Sequence, residues 1–100
     1  MEQRLVFLDL ETGGTDPKRH PIIQLAAIAT DHQFEVLEAF EAKIQFDPRK
    51  AKAASLRKNS YQPGLWARES RDGKIVAREF AEFLRRHSTL PLVSAQGKSF

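Results

Sequence analysis

The sequence predicts an α/β protein built on a mixed sheet, and three observations lead there. Residues Leu5 to Leu10 form an apolar run broken only by Asp9, the composition of a central strand buried on both faces. Two more strand-like segments follow with no helical pattern between them. Helical periodicity then takes over until a short apolar segment near the C-terminus. Strands, then helices, then a strand do not fit uniform βαβ alternation. They fit an antiparallel three-strand meander to which a short late strand is added.

Each element has its own signal. After the first strand, "TGGTDPKRHP" (Thr12 to Pro21) is rich in Gly, Pro and charge, hence a loop, and Pro21 cannot donate to a central ladder. Ile22, Ile23, Leu25 and the apolar residues through Ala29 form the second strand, and "TDHQ" (Thr30 to Gln33) has the polarity of a hairpin turn. "FEVLEAFEAKIQF" returns as the third strand, with Phe34, Val36, Phe40, Ile44 and Phe46 alternating in part with charged residues. Beyond Pro48 the Ala-, Lys- and Arg-rich "RKAKAASLRK" reads as helix, and "NSYQPGLW" as a loop interrupting it. Asp72 and Gly73 suit a turn. Ile75, Val76, Phe80, Phe83 and Leu84 then recur at helical spacing through about His87. "LPLVSA" reads as the late strand, with a turn at Gly97.

Size and charge limit the functions available. A chain of 100 residues, 41% of them hydrophobic, suits one domain. With no cysteine there is neither a disulfide framework nor a thiolate metal site, and a cytoplasmic location is expected. Glu2, Gln3 and Arg4 precede only a short apolar run, which is neither a signal peptide nor a membrane span. Residues 1–42 carry 3 Lys/Arg against 8 Asp/Glu, and residues 43–100 carry 13 against 5. That division suits a cation-binding centre flanked by a surface for a polyanion such as nucleic acid; it also suits ordinary solvated helix faces.

The acids that matter are Asp9 and Glu11. Side chains at i and i+2 of a strand share a face, so the two carboxylates converge and repel unless a hard cation such as Mg²⁺ or Mn²⁺ sits between them. Gly13 and Gly14 remove bulk where the backbone would approach a ligand. The combination suggests metal-assisted chemistry on a phosphate ester. The bland alternative is a strand ending in a solvated acidic turn.

Two families share parts of this pattern. "FLDLETGGTDPKRHPIIQLAAIATD" resembles the first motif of the DEDD superfamily of 3′-to-5′ exonucleases, a ribonuclease H-like group, in the order and spacing of Asp-x-Glu-Thr, glycine, loop and Ile-Ile-Gln-Leu-Ala strand. The resemblance implies a ribonuclease H-like mixed sheet and two-metal hydrolysis of phosphodiester bonds at the 3′ end of single-stranded DNA or RNA. It implies that Asp9 and Glu11 are the first two of four acidic ligands for Mg²⁺ or Mn²⁺, and that the Thr12, Gly13 and Gly14 backbone lies against the terminal nucleotide. "LRKNSY" resembles the segment where family members contact that nucleotide, making Asn59 and Tyr61 candidates. "LVSAQGKSF" resembles the second motif with Gln96 and Gly97 in place of His-Asn; Phe100 matches the motif's Phe, and the metal-binding Asp would come next. The third motif, with its His and last Asp, is absent. Residues 1–100 therefore resemble a single partial exonuclease domain, expected to hold a second ion poorly and to hydrolyse little by itself.

The haloacid dehalogenase phosphatases are the rival. Their pattern wants Asp at position 11 and Thr at position 13, where Glu11 and Gly13 stand. A third reading is a non-enzymatic remnant binding cations or nucleic acid, or a truncated chain that folds through an oligomer. Of the histidines, His20 reads as a loop residue within reach of phosphate, His32 as a turn residue, and His87 as a partner for a helix dipole. None reads as a general base. Trp66 reads as a core anchor ahead of a base-stacking platform, and Arg85 and Arg86 suit a helix C-terminus.

Overall fold

Three antiparallel strands make the meander: β1 (Arg4–Thr12), β2 (Ile22–Asp31) and β3 (Val36–Lys43). A fourth, β4 (Leu92–Ser94), joins the free side of β1 in parallel, Val6 opposite Leu92, so the sheet order is β3-β2-β1-β4. The computed structural model describes residues 4–87 and, for the backbone, 92–94; the expected turn at Gly97 and the tail from Gln96 to Phe100 lie outside the described residues. Three helices complete the fold: α1 (Ala53–Lys58), α2 (Pro63–Glu69) and α3 (Gly73–His87). None of them is long and apolar enough to cross a membrane.

Strand alternation decides where the core lies. Val6 and Leu8 of β1 stand opposite Ala29 and Ala27 of β2, and all four are buried on one face. Over that face lies α3, whose Phe83 is fully buried and touches Phe40 and Phe80, ring centroids 5.9 and 6.0 Å away. Leu5, Phe7, Asp9 and Glu11 point the other way and are only half-buried. The first strand is thus buried on one face among the described residues, because α3 packs on that face alone. On the other side Phe7, Ile28 and Ala39 line a shallow apolar hollow of about 240 Å³.

The helical region departs from its sequence pattern in three places. "RKAKAASLRK" divides into a 3₁₀ turn (Pro48–Lys50), capped by the Asp47 carboxylate, and α1. Between them Ala51 and Lys52 are extended, and the Lys52 N–H donates to the Gly13 carbonyl at 2.7 Å, so a tertiary hydrogen bond overrides helix propensity. Pro63 to Trp66, expected as loop, opens α2: proline at the first turn loses no needed donor, and buried Trp66 fixes the helix by donating Nε1–H to the Ile23 carbonyl at 3.1 Å. Ile75, counted in the apolar stripe of α3, is 46% exposed, whereas Val76 and Phe83 are buried. At the hairpin, β3 begins at Val36 and not at Phe34, since Phe34 takes a left-handed φ of 65° while the Asp31 carboxylate accepts the Gln33 and Glu35 amides.

The C-terminal end of α3 is tied to β3 through Glu38. Its carboxylate accepts from the Arg86 guanidinium at 2.8 Å and from His87 Nε2–H at 2.6 Å. The second ring nitrogen of His87 accepts from Arg4 at 2.8 Å, so this buried histidine is a cross-sheet anchor as well as a helix-end residue. Those hydrogen bonds, the one from Arg86 foremost, hold Glu38 down from the ordinary 4.5 to about 2. A carboxylate whose native pKa is depressed stabilises the fold above its unfolded value and loses that contribution as pH falls through the native one. Glu38→Gln is therefore expected to lower the melting temperature near neutrality, with the gap from the unsubstituted protein closing between pH 4.5 and about 2. Thermal melts of both proteins across that range check it; a gap independent of pH would remove Glu38 as the titrating tie.

Candidate active site

The site forms where β1 ends. Asp9 and Glu11 face away from α3, opposite Ala26 and Gln24 of β2, and the register slips between Glu11 and Thr12, releasing the chain into the glycine loop. Ala26 is small and leaves room in front of the carboxylates. Across that space lies the end of α1. Together Asp9, Glu11, Gln24, Ala26, Lys58, Asn59 and Ser60 line a cleft of about 190 Å³.

Local chemistry brings α1 there. The helix closes with the Tyr61 N–H on the Leu56 carbonyl (2.9 Å), the Ser60 N–H on the Arg57 carbonyl (3.2 Å), and Ser60 at a φ of 57°, the Schellman pattern that turns a chain sharply. Asn59 then donates its side-chain amide to the Thr12 carbonyl at 2.7 Å. At the other end of the segment, the Lys52 amide holds Gly13. The loop after Glu11 is thereby clamped from both ends of α1.

Within the loop, the Thr12 hydroxyl donates to the Gly14 carbonyl at 2.7 Å and the Gly13 N–H to the Pro21 carbonyl at 2.9 Å. The glycines are required by the protein itself. A Cβ on Gly13 would come within 2.6 Å of the Ala51 Cβ, and one on Gly14 within 2.3 Å of the His20 ring. His20 Nδ1 in turn accepts the Asp16 amide at 3.0 Å.

Electrostatics mark Glu11. Burial, and next the charge of Asp9, push its carboxyl above the ordinary 4.5, and Lys58 pulls against that shift. Two like charges held together at a partly desolvated strand end are the donor set a hard cation satisfies, so the residues present fit Mg²⁺ or Mn²⁺. Among the described residues no group of three or more His, Cys, Asp or Glu side chains could hold a metal ion.

Of the expected site residues, the structure brings Asp9, Glu11 and Asn59 to one cleft, with Thr12, Gly13 and Gly14 forming the loop beside it. Tyr61 does not line that cleft. Its ring packs edge-on against Phe46 and Trp66, centroids 5.2 and 5.1 Å away, and borders a separate hollow of about 200 Å³. Gln24, Ala26, Lys58 and Ser60 were not foreseen. Gln24, the one polar residue in "IIQLAAIA", and Lys58 and Ser60, flanking Asn59, were visible in sequence, but nothing local said that these two segments meet.

A mixed sheet with an acid pair at the end of its central strand and a cleft against the following helices has the ribonuclease H-like fold of exonucleases. The chain belongs to the RNase_T exonuclease family, whose model matches residues 6–93, which places it with these nucleases and apart from the phosphatases. It is 47% identical over 36 residues to the oligoribonuclease of Aliivibrio fischeri and 50% identical over 36 residues to that of Corynebacterium glutamicum. Those stretches cover 36% of this chain and 20% and 16% of the relatives, so the match spans a fifth or less of their length. Among solved structures, product-bound exonuclease I superposes with a TM-score of 0.80 at 20% identity, over 94% of this chain and 22% of that one. A full-length 3′-exonuclease gives 0.69 at 13% identity, over 93% and 46%. At such identities the likeness is one of fold.

Proposed function

We propose that this chain carries the first metal-binding half of a 3′-to-5′ exonuclease acting on single-stranded nucleic acid, with Asp9 and Glu11 as ligands for Mg²⁺ or Mn²⁺. The observation that supports it best is the pairing of these two carboxylates in one cleft, with Glu11 strained upward in pKa by burial and by its neighbour. Members of the family generally depend on divalent metal. Such an ion, when bound, supplies polarisation of the phosphoryl group and activation of water.

The protein's own groups do the rest. Asp9 and Glu11 hold the cation on a strand that the sheet keeps rigid. Asn59 and the Lys52 amide fix the loop against which the terminal nucleotide lies, so that the scissile phosphate is oriented and not merely attracted. Lys58 offsets the negative charge of the acid pair for an incoming anion. The proposed substrate class is single-stranded nucleic acid, DNA or RNA.

Polarity is the test. The intact protein that carries this domain, incubated with Mn²⁺ and strands labelled at either end, is expected to release the 3′ label at once as a mononucleotide while the 5′-labelled strand shortens stepwise. Immediate release of the 5′ label, or internal cuts, would count against the assignment.

A further inference from the structure

We propose that the ridge made by the Pro48–Lys50 turn and α1 carries the phosphodiester backbone of a single strand as it leaves the cleft, with Lys50, Lys52 and Arg57 as phosphate contacts. The inference rests on the exonuclease reading of the cleft and adds a second surface to it.

Residues 49–58 hold five cations and no acid. Arg49 is neutralised by Asp47 at 2.9 Å. Lys50, Lys52, Arg57 and Lys58 are exposed and form no ion pair among the described residues. This contrasts with Lys43, Arg71 and Arg86, each held by a glutamate. A free cation on a surface helix is by itself a solvated side chain. Here position adds to charge, because the segment is bonded at both ends to the loop that follows Glu11, at Gly13 and at Thr12. Its last cation, Lys58, is part of the cleft wall.

A strand approaching two carboxylates is repelled by them. Positive charge fixed beside the cleft offsets that repulsion and guides the approach. The six residues of α1 are about 9 Å long, enough to meet more than the terminal phosphate, and exposed cations held in no ion pair exchange bound counter-ions for phosphates at little cost in desolvation.

Salt dependence tests the ridge directly. Anisotropy of a 5′-labelled oligothymidylate with the 100-residue chain, without added divalent ion so that the strand stays intact, gives the slope of log K against log salt. Each phosphate contact removed from a single strand is expected to reduce that slope by about 0.7. Lys50→Gln, Lys52→Gln and Arg57→Gln should each do so, and the triple variant should lose about 2. Lys74→Gln and Arg78→Gln, exposed on α3 behind the sheet, should leave the slope unchanged, as should any of the ridge variants when the probe is thymidine monophosphate. Exposed substitutions of this kind leave the fold intact, which circular dichroism checks. A salt-dependent wild type whose slope the ridge variants do not alter, or alter no more than the α3 variants, would overturn the ridge and leave the cleft standing. A wild type that binds no strand at all would overturn both.

Discussion

Asp9→Asn is expected to slow 3′-end hydrolysis by the intact protein on the order of a thousand-fold or more, because removing one member of a cooperating catalytic set takes away most of the rate. The substitution keeps the shape of the side chain and removes one of the two negative charges that a divalent ion would balance. It also removes the like charge that strains Glu11, so stability should be unchanged or slightly higher. This combination of lost activity and retained melting temperature separates a ligand from a structural residue. In the 100-residue chain Mn²⁺ is expected to broaden amide signals near Gly13 before any others, and Asp9→Asn should abolish that effect. Single-turnover rates within about tenfold of wild type, a difference of only ~1.4 kcal/mol, would show that Asp9 is not in the catalytic centre.

Phe83→Ala should be the most destabilising single change in the described fold. Phe83 is fully buried, stacks on Phe80 at 6.0 Å, and packs its ring on Phe40 and His87, centroids 5.9 and 4.9 Å away. Truncating a buried phenylalanine costs about 3–5 kcal/mol, against a total of roughly 5–15 kcal/mol for a domain. Urea titration should show the loss. If the transition stays two-state, the melting temperature should fall by about 12 °C or more. Ile75→Ala, in the same helix but 46% exposed, should stay within about 0.5 kcal/mol. Similar costs at both positions would contradict the helix orientation on which the core depends.

Apolar runs bounded by turn residues explain why the first two strands were legible, and partial alternation marks the third. The meander follows from short connections between consecutive strands, whereas burial of only one face of β1 is decided by where α3 packs. The helices were harder. Around Ala51 and Lys52 a favourable helical composition gives way because the Lys52 amide is taken by Gly13, a residue far away in sequence. At Pro63 to Trp66 a turn-rich composition becomes helix because Trp66 reaches the Ile23 carbonyl. In both places a long-range hydrogen bond outweighs a local preference worth at most about 1 kcal/mol.

The same division holds at the candidate site. Asp9 and Glu11 lie two residues apart on one strand, so their convergence follows from backbone geometry and could be written down from the chain alone. Whether Asn59 or Tyr61 shares their cleft could not, because both belong to one short turn and a rotation of that turn decides which faces inward. Ser60, in its left-handed conformation, turns the chain so that Asn59 meets Thr12 and Tyr61 enters the aromatic cluster with Trp66. Gly13 and Gly14 announced a close approach, expected to be that of a ligand; in the structure Ala51 and His20 occupy the space a Cβ would need. Contacts between near neighbours are set by covalent spacing. Contacts across 47 residues, like that of Asn59 with Thr12, exist only after the sheet and helices have buried their apolar faces together.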